Sequence, residues 1–372
     1  MAVDTVFSLV IVLLAGLLAI WLARSTGIPE ALFVLLAGAF LHELSVAGRP
    51  LVLVPFEVIA MVVLVSRAFL AFEYSVLAAQ HRPLLKHWLL VALEVVVMAV
   101  AGRFVLGIDW WFASVFGAIV TTTAMHGRGA LMDALNRHAV ITGIIASVVP
   151  WIVLGAFAGL EEGAVLPFGT HLAFTAGDQL LGIGIGIFTA FVLLRILKRM
   201  HDWYASLAVL VGILFAYLFA TVAEGSGILA VVALGVFFGL STVRDKVRLF
   251  SSETHAATVL LVLVFAFVGF VVKFDAAPDL LFKSFLLFLL LMLFRMVALS
   301  GGLVERLFGA FHAGPGAIGA AVLLSLIVDP GYGGLALLLR AAFVILMLGL
   351  LSQTVTSFFS RRVLGETAEK PL

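Results

Sequence analysis

The chain has no cysteine and very little charge. The missing thiols exclude disulfides, thiolate metal sites and cysteine nucleophiles. Charged residues make up 12% of the 372, against roughly 25% in a typical soluble domain. Lysine plus arginine (22) and aspartate plus glutamate (21) nearly cancel, so the net charge of +1 gives no basis for a nucleic-acid partner. There is no Walker loop, no G-x-S-x-G and no H-E-x-x-H, and the nine histidines show no metal spacing. Neither ATP hydrolysis nor soluble-type enzyme chemistry is expected, and no cofactor. What is present is apolar: 64% hydrophobic residues, 32 Phe, 35 Gly and a mean hydropathy of +1.25. A surface that cannot be covered with polar groups has to face lipid, and glycine lets membrane helices pack closely. Residues 5–23 are apolar without a basic leader before them, so they read as a first spanning helix rather than a cleavable signal.

A membrane-crossing helix needs about 20 mostly apolar residues. Stretches bounded by charge or by Pro and Gly number thirteen: about 5–23, 28–42, 51–78, 84–106, 111–127, 138–160, 171–196, 203–222, 226–241, 254–274, 279–303, 315–329 and 334–359. Placing the loop with Arg82 and Lys86 inside puts every second loop and the C-terminus inside. Those segments hold fifteen of the 22 basic residues, the outer loops hold Arg49, Arg103, Lys273 and Lys283, and Arg67, Arg295 and Arg340 fall within spans. This is a strong positive-inside bias. It predicts thirteen helices, the N-terminus outside and the C-terminus in the cytoplasm.

Thirteen also divides as six, one and six, and the two sets of six then run in opposite directions. The expected organisation is one domain over 1–372. Repeat one covers about 5–160, a linker helix about 171–196 and repeat two about 203–360, followed by a short cytoplasmic tail at 361–372. Inverted repeats carry interrupted helices in matching positions. The fifth span contains Gly117-Ala-Ile-Val-Thr-Thr-Thr-Ala-Met-His-Gly127, and the twelfth opens Ala313-Gly-Pro-Gly-Ala-Ile-Gly-Ala-Ala321. The fifth and twelfth spans are therefore expected to be broken and to cross.

Five segments carry a resemblance to a known family. Gly27-Ile-Pro-Glu-Ala-Leu-Phe-Val-Leu-Leu-Ala-Gly38, Leu64-Val-Ser-Arg-Ala-Phe-Leu-Ala-Phe-Glu73 and Thr121-Thr-Thr-Ala124 come first. Gly225-Ser-Gly-Ile-Leu-Ala-Val-Val-Ala-Leu-Gly235 and Gly314-Pro-Gly-Ala-Ile-Gly-Ala-Ala-Val-Leu-Leu-Ser325 follow. In this order they resemble the cation/proton antiporter superfamily over essentially the whole chain. The resemblance implies an all-α transporter in which two half-helices cross at the midplane. It also implies exchange of a monovalent cation (Na⁺ or K⁺) for protons at a carboxylate, a homodimer, and residence in the plasma membrane.

One departure from the family pattern stands out. The carboxylate belongs on the sixth span, but no Asp or Glu lies between Asp133 and Glu161, and Pro150 and Trp151 stand about where the acids should be. Ala124 occupies the place of the Asp that the fifth span sometimes carries. Threonine and serine oxygens can ligate a cation but do not exchange protons near neutral pH.

The candidate transport residues follow from that gap. Arg295, inside the eleventh span, matches the basic residue that the family places near its ion site; it can partner a carboxylate, stabilise the crossing or hold an anion. A charge at the bilayer centre costs about 2.5–3.5 kcal/mol and is normally paired or functional. Glu94, inside the fourth span, can carry protons, pair with Arg67 or Arg295, or face a water crevice. Thr121, Thr122 and Thr123 form the expected unwound stretch. Ser147 lies about one turn before Pro150, whose ring frees carbonyls, and a transported Na⁺ or K⁺ is expected near Thr122, Thr123 and Ser147. His126 can titrate between pH 5 and 8. Gly182-Ile-Gly-Ile-Gly186 reads as helix packing. Two other functions remain open: a transport-inactive partner or sensor subunit, and a carrier of an anion at Arg295.

Overall fold

The computed structural model describes residues 2–26, 30–43, 81–122, 145, 149–150, 152–153, 168–198, 202–240, 263–270, 277–298, 303–312, 319–320, 322–323, 326 and 335–363. Among these, every regular element is helical. The helices are α1 (Ala2–Thr26), α2 (Glu30–Glu43), α3 (His81–Leu106), α4 (Trp110–Val120), α5 (Phe168–Leu197), α6 (Asp202–Val222), α7 (Gly227–Leu240), α8 (Pro278–Ala298), α9 (Leu303–His312) and α10 (Leu335–Val363). Residues 263–270 are also helical and fully buried.

Within α3, α5, α8 and α10 lie stretches long and apolar enough to cross a membrane: Leu89–Leu106, Ala176–Leu197, Pro278–Val297 and Leu335–Thr356. Their outward faces carry large apolar side chains, among them Leu180, Phe188 and Phe191 on α5, each at least 60% exposed. Water would penalise that surface and lipid does not.

The helices associate in groups. α3, α4, α8, α9 and α10 pack on one another, α5, α6 and α7 form a second group, and α1 packs on α2. Small residues set the closest approaches, as is usual where lipid supplies no hydrophobic drive between helices. A Cβ on Gly182 would meet the Ser226 backbone, and one on Gly186 would meet that of Ala230, so α5 and α7 touch main chain to main chain. This matches the packing role expected of the Gly182–Gly186 run. Gly38 on α2 abuts Ala266, and Gly269 abuts Leu35, which joins α2 to residues 263–270 in the same way.

Two turns shape the ends of these helices. After α6 the Gly225 N–H donates to Ala220 O at 2.8 Å and the Glu224 N–H to Thr221 O at 3.1 Å, a Schellman closure with Glu224 at φ 62°. Ser226 then caps α7 through the Leu229 N–H and donates its own N–H to Asp178 O. After α3, Gly107 turns at φ 73°, and Arg103 Nη1 donates to Ile108 O at 2.8 Å, which fixes the entry to α4.

Two boundaries differ from the sequence reading. The connection expected between the eleventh and twelfth spans contains helix α9, which returns along α8: Phe311 meets Phe288 edge to face at 6.5 Å, and Ala310 is fully buried. Glu305, Arg306 and His312 interrupt its apolar content, so hydropathy alone passes over it. The last helix runs to Val363, past the residue where the tail was expected to begin. The third span, with Arg67 and Glu73, lies outside the described residues.

Candidate functional site

The site begins where α4 stops. The Thr121 N–H reaches Gly117 O, and the Thr122 N–H reaches only back to Ile119 O, both at 3.3 Å, so the last turn tightens. The two hydroxyls reinforce this, Thr121 Oγ1 donating to Ala118 O at 3.2 Å and Thr122 Oγ1 to Ile119 O at 2.8 Å. Threonine hydroxyls compete in this way with the helical ladder. The helix ends at Val120 with Thr121 as its C-cap, and carbonyls at a helix C-terminus take partners outside the helical ladder.

Arg295, on α8, supplies them. Its Nη2 donates to Thr121 O at 2.8 Å and to Thr122 O at 3.3 Å. Its Nε donates to Glu94 Oε1, on α3, at 2.9 Å. Glu94 is 0% exposed and Arg295 1%, and they are the two buried charged residues among those described. A guanidinium at a helix C-terminus also complements the negative end of the helix dipole. Glu94 lies twelve residues before the end of α3 at Leu106, about 18 Å along the helix axis.

A fourth element closes the group. Gly319 lies so close to Thr122 that a Cβ there would collide with Thr122 Oγ1 and approach Ile119 O. The segment holding the second Gly-rich sequence therefore touches the interrupted end of α4. On the other side of α4, Gly117 presses on Val95 O and the Ala99 N atom of α3, and Gly102 on the Phe116 ring. The broken end is wedged between α3, α8 and residue 319.

The expected site residues divide accordingly. Glu94, Arg295, Thr121 and Thr122 come together, with Glu94 paired to Arg295. Pro150 is helical and buried. Thr123, His126 and Ser147 lie outside the described residues. One further polar group gave no signal in the sequence: Ser284, on the buried face of α8, has a hydroxyl with no hydrogen-bond partner among the described residues.

A membrane-spanning helical bundle with a buried ion pair at an interrupted helix has the fold of a cation/proton antiporter. The particular likeness is to the sodium proton antiporter MjNhaP1 of Methanocaldococcus jannaschii, solved at pH 8: TM-score 0.77, 18% identity, 97% of this chain and 98% of that one. An electron-microscopy map of the same protein gives a TM-score of 0.68 at 18% identity, over 96% and 97% of the two chains. No family model and no curated protein sequence matches the chain. The antiporter fold and the apolar helices mark it as an integral membrane protein.

Proposed function

We propose that this protein is a secondary active transporter exchanging a monovalent cation, Na⁺ or K⁺, for protons, with Glu94 as the group that gains and loses the proton. The observation that carries the reading is the buried Glu94–Arg295 pair seated on the open end of α4 within an antiporter fold. Coupling needs a titratable group where cation and proton compete, and Glu94 is the buried acid among the described residues. The oxygen acceptors gathered on Arg295 weigh against an anion as cargo.

The same reading includes thirteen spans in two inverted repeats, the N-terminus outside and the C-terminus in the cytoplasm, and assembly as a homodimer. In this repeat the fourth span, with Glu94, corresponds to the eleventh, with Arg295, so the ion pair joins equivalent helices.

The test is transport in everted vesicles. Adding Na⁺ or K⁺ should dequench a pH-sensitive dye between pH 6 and 9, and Glu94→Gln should abolish the response while leaving folded protein in the membrane. Silence of the wild type toward every monovalent cation would sink the reading. It would favour the second one, a transport-inactive partner or sensor, to which the acid-free stretch between Asp133 and Glu161 already points. Placing a carboxylate there by Trp151→Asp should then create cation exchange if only the family's acid is missing.

A further inference from the structure

A hydroxyl inside an apolar helix can satisfy itself on the carbonyl four residues earlier. Ser114, Thr189, Thr221, Thr354 and Thr356 all do so, at 2.8–2.9 Å. Ser284 does not. It is 0% exposed, and its Oγ reaches neither the Leu280 carbonyl nor any other partner among the described residues. A buried hydroxyl left in that state is destabilising. Its place on α8 says what it can meet. Ser284 stands six residues after Pro278, about 9 Å along the helix axis. The first turns of α8 are wet: Asp279 and Lys283 pair at 2.8 Å with side chains 75% and 37% exposed. In the other direction Arg295 lies on the same face three turns on, about 16 Å away. Residues 285–294 between them are all apolar. Leu287, Phe288 and Leu291 are at most 3% exposed, and the Phe311 ring closes on that of Phe288.

We propose that the Ser284 hydroxyl binds water, at the inner end of a short file of waters that enters beside the first turns of α8. A single trapped water does not suffice, because buried waters are held by about three hydrogen bonds and one hydroxyl cannot supply them. The water on Ser284 therefore bonds to further waters, and the distance to Pro278 is spanned by about three of them at hydrogen-bond spacing. The file stops at Leu287 and Phe288, whose packing separates it from the Glu94–Arg295 pair. Only one consequence rests on the transporter reading: the same apolar turns of α8 are then what a proton or cation coming from that side has to pass. The water site itself is tested without transport.

The absence of cysteine makes the test direct, since Ser284→Cys places the single thiol of the chain. The full-length variant is reconstituted in lipid vesicles, with a charged methanethiosulfonate on both sides. Thiols react as thiolates, which need water around them, so Ser284→Cys should be labelled about tenfold faster than Leu289→Cys on the outward apolar face of α8. Ser284→Ala reads the same site without a probe. Removing a hydroxyl that is bonded to water should lower the unfolding midpoint in detergent, whereas removing an unsatisfied one should raise it. Labelling no faster than at Leu289→Cys, or a midpoint left unchanged or raised by Ser284→Ala, overturns the proposal. Fast labelling combined with a wild type silent in everted vesicles upholds the water site and removes the transporter reading. Cation exchange by the wild type with slow labelling of Ser284→Cys does the reverse.

Discussion

The residues that decide this protein's behaviour are two charges with almost no water around them. Removing one partner of a buried pair leaves the other uncompensated, at about 3–5 kcal/mol. Glu94→Gln should therefore lower the unfolding midpoint in detergent strongly, and Glu94→Gln combined with Arg295→Met should restore part of the loss. A double variant less stable than either single would show that the pair is not the coupled unit described. Thr122→Val keeps volume but loses the hydroxyl bond to Ile119 O, for an expected loss of about 1 kcal/mol in the same measurement. Glu94 and Arg295 could be picked out of the sequence because charge within an apolar span is rare. Their pairing could not, since they are 201 residues apart and Arg67 was an equal partner on paper. The Ser284 hydroxyl was invisible for the opposite reason: one serine in an apolar helix leaves no pattern.

At the scale of the helix, termini carry the information. The end of α4 was legible because three consecutive threonines follow a glycine-bearing apolar run, and the helix does stop at the first of them. Helix α9 was not, because its polar residues make it look like a connection while its packing on α8 and α10 makes it a helix. Ser352 on α10 donates to Phe311 O at 2.7 Å near the end of α9, so Ser352→Ala should loosen that end. Hydrogen exchange of the α9 amides should rise in the variant and stay unchanged elsewhere. The turn after α6 offers the opposite kind of change. Glu224 adopts a left-handed conformation that glycine takes without cost, so Glu224→Gly should stabilise by about 1 kcal/mol, read as a higher unfolding midpoint.

For the whole molecule, the exposed apolar faces of α5 and α6 and the stretches in α3, α8 and α10 require lipid. The protein should stay with membranes through an alkaline carbonate wash, and a fluorescent reporter fused after Leu372 should fold and fluoresce in the cytoplasm. A dark reporter with an intact fusion would reverse the orientation drawn from the distribution of lysine and arginine. The bundle was readable at this scale because hydropathy and charge vary over whole spans. Gly319, in the stretch read as the twelfth span, touches Thr122 at the end of α4.

The glycine seams between α5 and α7, and between α2 and residues 263–270, bear on motion. Where main chain rests on main chain there are no rotamers to exchange, and a one-residue slip would drive a Cβ into a carbonyl. Each pair therefore behaves as a welded beam. In the transporter reading proposed above, motion between such beams falls along faces lined by leucine and phenylalanine, whose side chains can repack.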